Sequence, residues 1–416
     1  MQSELGKLSL NSYIVRDGKK TIYNSGRQFL PTKQPKEALG THRFKELAIG
    51  LPTDLGYAKS ARLLNRIRND EDNIKTTTLR NMVEAEGLGI QKHMKAKSEK
   101  ILSEKGITIA ETGELQQSTG FAIEEPQYIS EEVLQAAAAK LNLKSFNRSD
   151  YESLESSVIT SIDDVLVKRQ TEWRPREKYN MAQTENVNNT IIHIQKGESC
   201  VVINSGSLKE AITPLTAFFA ENKLLGKQLV FIMDGAREIN KIVSERYKGL
   251  NFKIILDWYH LYKKMREQLS MGLNGKEIRN EFLQELMPVL WLGNVDEAIR
   301  LLNEIDPNKI KKKEKLEKLV EYLERVRNYI PCYALRKEVG LRNSSNRGEK
   351  ANDLSVSARQ KDDGKSWSDD GSVGLATVTT VKLNGQLSNW VRTHDINLTW
   401  RCATEDSLSN CRDVAA

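Results

Sequence analysis

Two stretches decide the fold of this chain: Ser161-Ile162-Asp163-Asp164-Val165-Leu166-Val167-Lys168 and Leu229-Val230-Phe231-Ile232-Met233-Asp234-Gly235-Ala236. Each is an apolar run of β-type residues that meets a carboxylate where the strand is expected to run out. An acid at the exposed end of a buried strand stands on a rigid support. Two such acids brought together make an oxygen-ligand site for a pair of Mg²⁺ ions. Phosphodiester chemistry is therefore the first reaction class the pattern raises. Ile254-Ile255-Leu256-Asp257-Trp258-Tyr259-His260 repeats the theme, with a histidine three positions beyond the acid.

Around these stretches, strands and helices alternate after residue 150. Val158 to Val167, Thr190 to Gln195 and Cys200 to Asn204 read as strands with short connections, hence as an antiparallel meander. Leu229 to Met233 and Phe252 to Leu256 are separated by helices at Leu208 to Glu221 and Ala236 to Tyr247, which implies parallel additions to the same sheet. The order β-β-β-α-β-α-β is that of the RNase H-like α/β fold, in which the first and fourth strands are neighbours. Asp163 and Asp234 are then expected to meet although they stand 71 positions apart.

From Trp258 to about Arg336 the pattern is helical and heavily charged, and further helical blocks run from about Arg347 to Gln360 and from Gly371 to Trp390. Upstream, Ala58, Ala61, Leu63, Leu64 and Ile67 form one apolar stripe. A second helix opens at Thr76-Thr77-Thr78, carries Arg80 and is expected to stop at Gly87. Two short helices joined by a polar turn fit a helix-turn-helix, although a plain helical hairpin fits as well. A third helix would carry Lys92, His93, Lys95, Lys97 and Lys100. The expected division is an irregular or weakly β arm (1–41), a helical DNA-binding domain (42–105), a linker (106–150), a catalytic domain (151–396) with a helical insertion at about 258–338, and a loose tail (397–416).

The 416 residues suffice for two or three domains. Sixty-three Lys and Arg against fifty-six Asp and Glu leave a formal charge of +7, which suits a polyanionic partner without proving one. Cys200, Cys332, Cys402 and Cys411 contain no C-x-x-C unit, so neither a zinc site nor a secreted disulfide framework is expected. No stretch approaches the roughly 20 apolar residues of a membrane span. The expectation is a soluble protein of a reducing compartment.

A two-metal site needs a third acid. Glu349, in Asn346-Arg347-Gly348-Glu349-Lys350-Ala351-Asn352-Asp353, opens a helix whose face also presents Asp353 one turn later. Each acid has an ordinary alternative: Glu349 can serve the helix dipole, Asp234-Gly235 is a turn signal, and Asp163-Asp164 can be a turn or cap. His260, beside Trp258 and Tyr259, can equally be a packed residue or orient a carboxylate.

Together, Asp163-Asp164-Val-Leu-Val-Lys-Arg-Gln, Met-Asp234-Gly-Ala, Leu-Asp257-Trp-Tyr-His260-Leu and Glu349-Lys-Ala-Asn-Asp353-Leu, with Trp367-Ser-Asp-Asp-Gly-Ser beyond, resemble bacterial insertion-sequence transposases of the DDE class over roughly residues 150 to 392. The resemblance implies an RNase H-like catalytic domain that holds two Mg²⁺ ions, with Mn²⁺ as a substitute, through Asp163, Asp234 and Glu349. It implies a supporting role for Asp257 and His260. The motif position favours Asp163 over Asp164 as the first acid.

Asp234 and Glu349 are 115 positions apart, which an all-helical insertion after the fifth strand would explain, and within which Glu281 and Glu285 compete for the third role. The implied activity is cleavage of DNA at terminal inverted repeats and joining of the 3′-hydroxyl to target DNA, by a cytoplasmic, nucleoid-associated bacterial homo-oligomer. Arg80, Lys168, Arg169, Lys350 and Arg359 are the expected DNA contacts. A nuclease or resolvase without strand transfer, and a non-catalytic DNA-binding derivative, are the alternatives.

Overall fold

Leu229–Met233 is buried along its whole length, as a strand covered on both faces must be. It is an interior strand of a five-stranded sheet of β1 (Val158–Lys168), β2 (Asn186–Lys196), β3 (Ser199–Ser205), β4 (Leu229–Met233) and β5 (Phe252–Leu256). The strands lie in the order β5-β4-β1-β2-β3. β1, β2 and β3 are antiparallel, and β4 runs parallel to both β1 and β5. The meander and the two parallel additions read from the spacing are thus both present. This computed structural model describes residues 41–68, 74–117, 119–170, 186–361, 364–398 and 400, together with the strand pieces Gln2–Ser3, Gly6–Lys7, Ile14–Asp17 and Lys20–Asn24.

The helices used below are α1 (His42–Asp54), α2 (Tyr57–Ile67), α3 (Thr76–Glu104), α4 (Leu208–Glu221), α5 (Arg237–Arg246), α6 (Trp258–Gly272), α7 (Lys276–Trp291), α8 (Asn346–Asn352) and α9 (Asp369–Leu383). Strand alternation divides the core. Val158, Ile162, Leu229, Phe231 and Met233 face α4 and α5, while Ile159, Val230, Ile232 and Ile255 face the helices that follow β5. Between β5 and α8 every element is helical, and these helices pack directly on the sheet through Leu261, Met265, Leu286, Leu319 and Leu323. The distal half of β1, with Val165 and Val167, packs instead with α9 and α3 through Val378, Val83 and Ile90.

Five expectations change. The second N-terminal helix does not stop at Gly87: α3 continues to Glu104 and absorbs the expected third helix. Gly87 is there because α9 crosses it closely; a Cβ would stand 2.3 Å from the carbonyl oxygen of Gly374. The strand read over Val158 to Val167 is present, and what fails is the expectation that it runs out at Asp163. β1 pairs with β4 only as far as Ile162 but continues along β2 to Lys168.

The segment read as a linker is packed. Ile107 and Leu115 of its hairpin lie in the sheet core, and Leu134, Ala137, Ala138 and Tyr151 form a cluster with Leu335 and Leu341. Glu152 and Arg336 form a buried two-pronged ion pair at 2.7 and 2.8 Å that ties this segment to the helical block. At the other end, Leu398 is buried and the Trp400 N–H donates to Asn222 at 2.8 Å, while the tail from residue 401 lies outside the described residues. Cys200 is disulfide-bonded, which the cysteine spacing did not anticipate. No helix among the described residues is long and apolar enough to cross a membrane.

Candidate active site

The register of the three parallel strands sets the site. Ile162, Met233 and Leu256 are partners across β1, β4 and β5, so the next residue of each, Asp163, Asp234 and Asp257, stands at one level just past the last β1–β4 and β4–β5 pairs, Asp163 still paired with β2. Neighbouring strands are about 4.8 Å apart, which brings consecutive acids within strong electrostatic reach. The three then diverge in what they contact.

Asp163 keeps the side of Ser161 and Ile159 by strand alternation, the side over which α8 passes: a Cβ on Gly348 would stand 2.7 Å from the Ser161 Cβ. From α8 the Asn352 side-chain amide donates to Asp163 Oδ2 at 2.6 Å, and the Asp164 N–H donates to Oδ1 at 2.9 Å. Asp164 points to the other face, where its carboxylate accepts the Thr190 hydroxyl. Alternation therefore separates the two acids and puts Asp163 beside α8, because β1 does not end between them. Burial raises the Asp163 carboxyl above the usual range, and the Asp234 charge adds to this against the opposing effect of His260.

Asp234 is followed by Gly235 at φ +81°, a left-handed turn in which a side chain would also meet Leu256 at 2.7 Å. Asp234 Oδ1 accepts the Ala236 N–H at 2.8 Å, so the turn reading is also correct. Arg325, from the helical block, donates to the Gly235 carbonyl at 3.1 Å and holds the turn from below.

Asp257 is fully buried. It caps α6 by accepting the His260 N–H at 3.0 Å, and its second oxygen accepts the Ser345 hydroxyl at 2.7 Å as well as the Ser345 backbone N–H. It thus fastens the start of α8 to the end of β5. The helix so held brings Glu349 to 3.5 Å from His260 Nε2. Burial raises the Glu349 carboxyl first, the Asp257 charge second, and His260 opposes both.

One histidine therefore faces both Asp163 and Glu349, with Asp234 beside the former. Among the described residues, however, no three His, Cys, Asp or Glu side chains converge as a metal-binding group. Asp163 is engaged by Asn352 and Glu349 by His260, so the acids share a site without closing on one point. Glu281 and Glu285 are exposed on α7. Asp353 is exposed too; the residue one turn from Glu349 that turns inward is Asn352.

Of the expected DNA contacts, Arg80, Lys168 and Lys350 are exposed, Arg80 with Glu84 at 3.8 Å. Arg169 is bound internally, to Asp369 and to the Asn186 carbonyl at 3.1 Å. Arg359 is a correction. It is buried between Tyr57 and Trp367, and its Nε donates to the carbonyls of Pro52 and Leu55 at 2.9 Å each, so it pins the loop between α1 and α2 and cannot reach a phosphate.

Sequence reading missed Asn352, Ser345 and Arg325. The first had a signal, the three-residue spacing from Glu349 on one helix face. The other two are legible only from contacts between distant segments.

No protein-family model matches the chain, and no curated protein matches it. A solved structure, the Drosophila P element transposase strand transfer complex, aligns at 13% identity over 87% of this chain and 83% of that one, with a TM-score of 0.27. A likeness that loose bears on neither fold nor function.

Proposed function

We propose that this chain is a DNA transposase built on an RNase H-like catalytic fold, which binds the terminal inverted repeats of its element, cleaves the strands and joins the freed 3′-hydroxyl to target DNA. The supporting observation is that Asp163 and Asp234 stand at one level, directly after the last pair of two adjacent parallel strands, with Glu349 near them on a helix that Asp257 fastens in place.

The donor chemistry suits a hard divalent cation: oxygen ligands on rigid supports, with Asp163 and Glu349 made costlier to charge by burial and, among the described residues, not ion-paired to a lysine or arginine. Asp163, Asp234 and Glu349 are the residues that would hold Mg²⁺, or Mn²⁺ in its place. The ions would activate the attacking oxygen and stabilise the leaving one. Of the chain's own groups, Asn352 orients Asp163, Asp257 positions the helix of Glu349, and His260 sets the charge between Asp163 and Glu349.

The exposed start of α3, from Lys75 through Thr78 to Arg80 and Asn81, is the proposed sequence-reading surface, with α2 packed behind it through Leu64 and Leu79. Lys168 and Lys350 are the proposed phosphate contacts. Synapsis of two ends calls for a homo-oligomer, acting on DNA in the bacterial cytoplasm.

The test is a reaction of the protein with Mg²⁺ and a labelled duplex carrying the DNA that flanks its own gene. Cleaved ends joined to target DNA are expected. Cutting without joining would assign a nuclease or resolvase, and binding with neither would assign a non-catalytic DNA-binding protein.

A further inference from the structure

The helix that begins at the candidate site carries a second, unassigned surface. On α6, Leu261, Met265, Leu269 and Gly272 are buried against the helical block, as the 3.6-residue period requires of an amphipathic helix. On the opposite face stand Tyr259, Tyr262, Lys263, Arg266 and Ser270, at spacings of three, four, seven and eleven residues from the first. They form one exposed stripe, about 17 Å long at 1.5 Å per residue. Tyr259 is 52% and Tyr262 37% exposed, which is unusual for two aromatic side chains one turn apart.

Arg279 reaches over from α7 and donates to the Ser270 hydroxyl at 2.9 Å, closing the far end. Together these residues line an open groove of about 620 Å³. Lys263, Arg266 and Arg279 outnumber Glu267, the acid of the lining. The near end is continuous with the candidate site: the Tyr259 ring meets the His260 ring edge-on at 5.8 Å, and His260 faces Glu349.

Exposed aromatic faces interleaved with cations along one track are the chemistry that takes an unpaired nucleic-acid strand: bases stack on the rings while phosphates meet the cations. A folded duplex offers phosphates but no free base faces. An acidic peptide would use the cations and leave the tyrosines idle. We propose that the α6 groove binds single-stranded DNA, namely the unpaired segment next to the bond being cut, leading it toward His260 and the acids. This rests on the proposed function for its placement beside a scissile bond, though the binding itself does not require cleavage.

The test is fluorescence anisotropy of the full chain, without divalent metal, on a labelled oligothymidine of about 12 nucleotides and on a labelled duplex of equal length. The variants are Tyr259→Ala with Tyr262→Ala, and separately Arg266→Glu. All three side chains are on the surface, and thermal unfolding would verify the fold. The tyrosine pair is expected to weaken oligothymidine binding about tenfold or more while changing duplex binding less than twofold. Arg266→Glu is expected to weaken oligothymidine binding and flatten its salt dependence.

Wild-type affinity in both variants would overturn the assignment. So would an equal loss on duplex and oligothymidine, which would mark a plain electrostatic surface. Asp234→Asn is expected to bind oligothymidine like wild type, so loss of cleavage and loss of groove binding are read separately.

Discussion

The buried carboxylate of Asp257 accepts the Ser345 hydroxyl at 2.7 Å together with the Ser345 backbone N–H, joining the end of β5 to the helix that presents Glu349. In the proposed reaction this acid is a positioning residue, one step removed from the reacting atoms. Asp257→Asn replaces one acceptor oxygen with an NH2 group, so the backbone N–H of either His260 or Ser345 loses its partner and the Ser345 hydroxyl loses a charged acceptor. The expected cost is about 3 kcal/mol of stability, since hydrogen bonds to a charged group contribute about 1.5–3 kcal/mol each. Urea unfolding checks it; an unchanged midpoint would show that α8 is held by other contacts.

The stability of the fold should carry the signature of strained acids. Glu349 has its carboxyl raised above the ordinary value of 4.5 by burial and by the Asp257 charge. The folded state therefore binds that proton more tightly than the unfolded chain does. The contribution of this group to stability is full below its unfolded value and is lost as pH rises through the raised folded value. Glu349→Gln removes that loss. Relative to wild type, the variant should gain stability on going from acid to neutral pH while losing cleavage, as measured by denaturation midpoints on either side of the window. A gap that narrows toward neutral pH would contradict the sign.

Gly87→Ala tests the crossing of α3 and α9. The new Cβ would fall 2.3 Å from the Gly374 carbonyl oxygen, a backbone atom that cannot swing aside. Alanine gains up to about 1 kcal/mol in helix propensity, but overpacking costs about 1–3 kcal/mol or more, and here the helices themselves must part. A net loss of about 2 kcal/mol is expected in thermal or urea unfolding, whereas an unfrayed surface helix would be stabilised by the same change.

Arg359 and Lys350, nine residues apart, should behave oppositely. Arg359→Ala removes two hydrogen bonds and stacking on Tyr57 and Trp367, and is expected to cost about 2–4 kcal/mol of stability. Lys350→Ala should leave stability within about 0.5 kcal/mol and lower the salt slope of DNA binding by about 1. Unfolding and a salt titration of DNA affinity separate the two; the reverse pattern would contradict the placement.

These contrasts show what was legible in the sequence. β4 was read to the residue because it is an apolar run covered on both faces, β5 because Ile254-Ile255-Leu256 closes a short β-type run, and the helices after β5 because their period is continuous. The strand was read to Val167, yet Asp163 was placed where its buried part runs out, because β1 beyond it is half-exposed and pairs with β2 alone. Gly87 looked like a stop because the partner that demands a glycine, Gly374, is remote in sequence. Arg359 looked like a phosphate contact because Tyr57, Pro52 and Leu55 are some three hundred positions away. Nothing local distinguishes a guanidinium that faces solvent from one that is capped by a distant loop.

Whether Asp163 and Asp234 act together on a DNA phosphate is decided by cleavage of a labelled flanking-DNA duplex in Mg²⁺ by wild type and by Asp234→Asn, with DNA affinity measured alongside. The variant keeps the shape of the side chain, and its amide oxygen can still accept the Ala236 N–H. Cleavage is expected to fall by about a thousandfold or more while affinity changes less than about twofold. An Asp234→Asn protein that cuts at the wild-type rate would contradict that joint action.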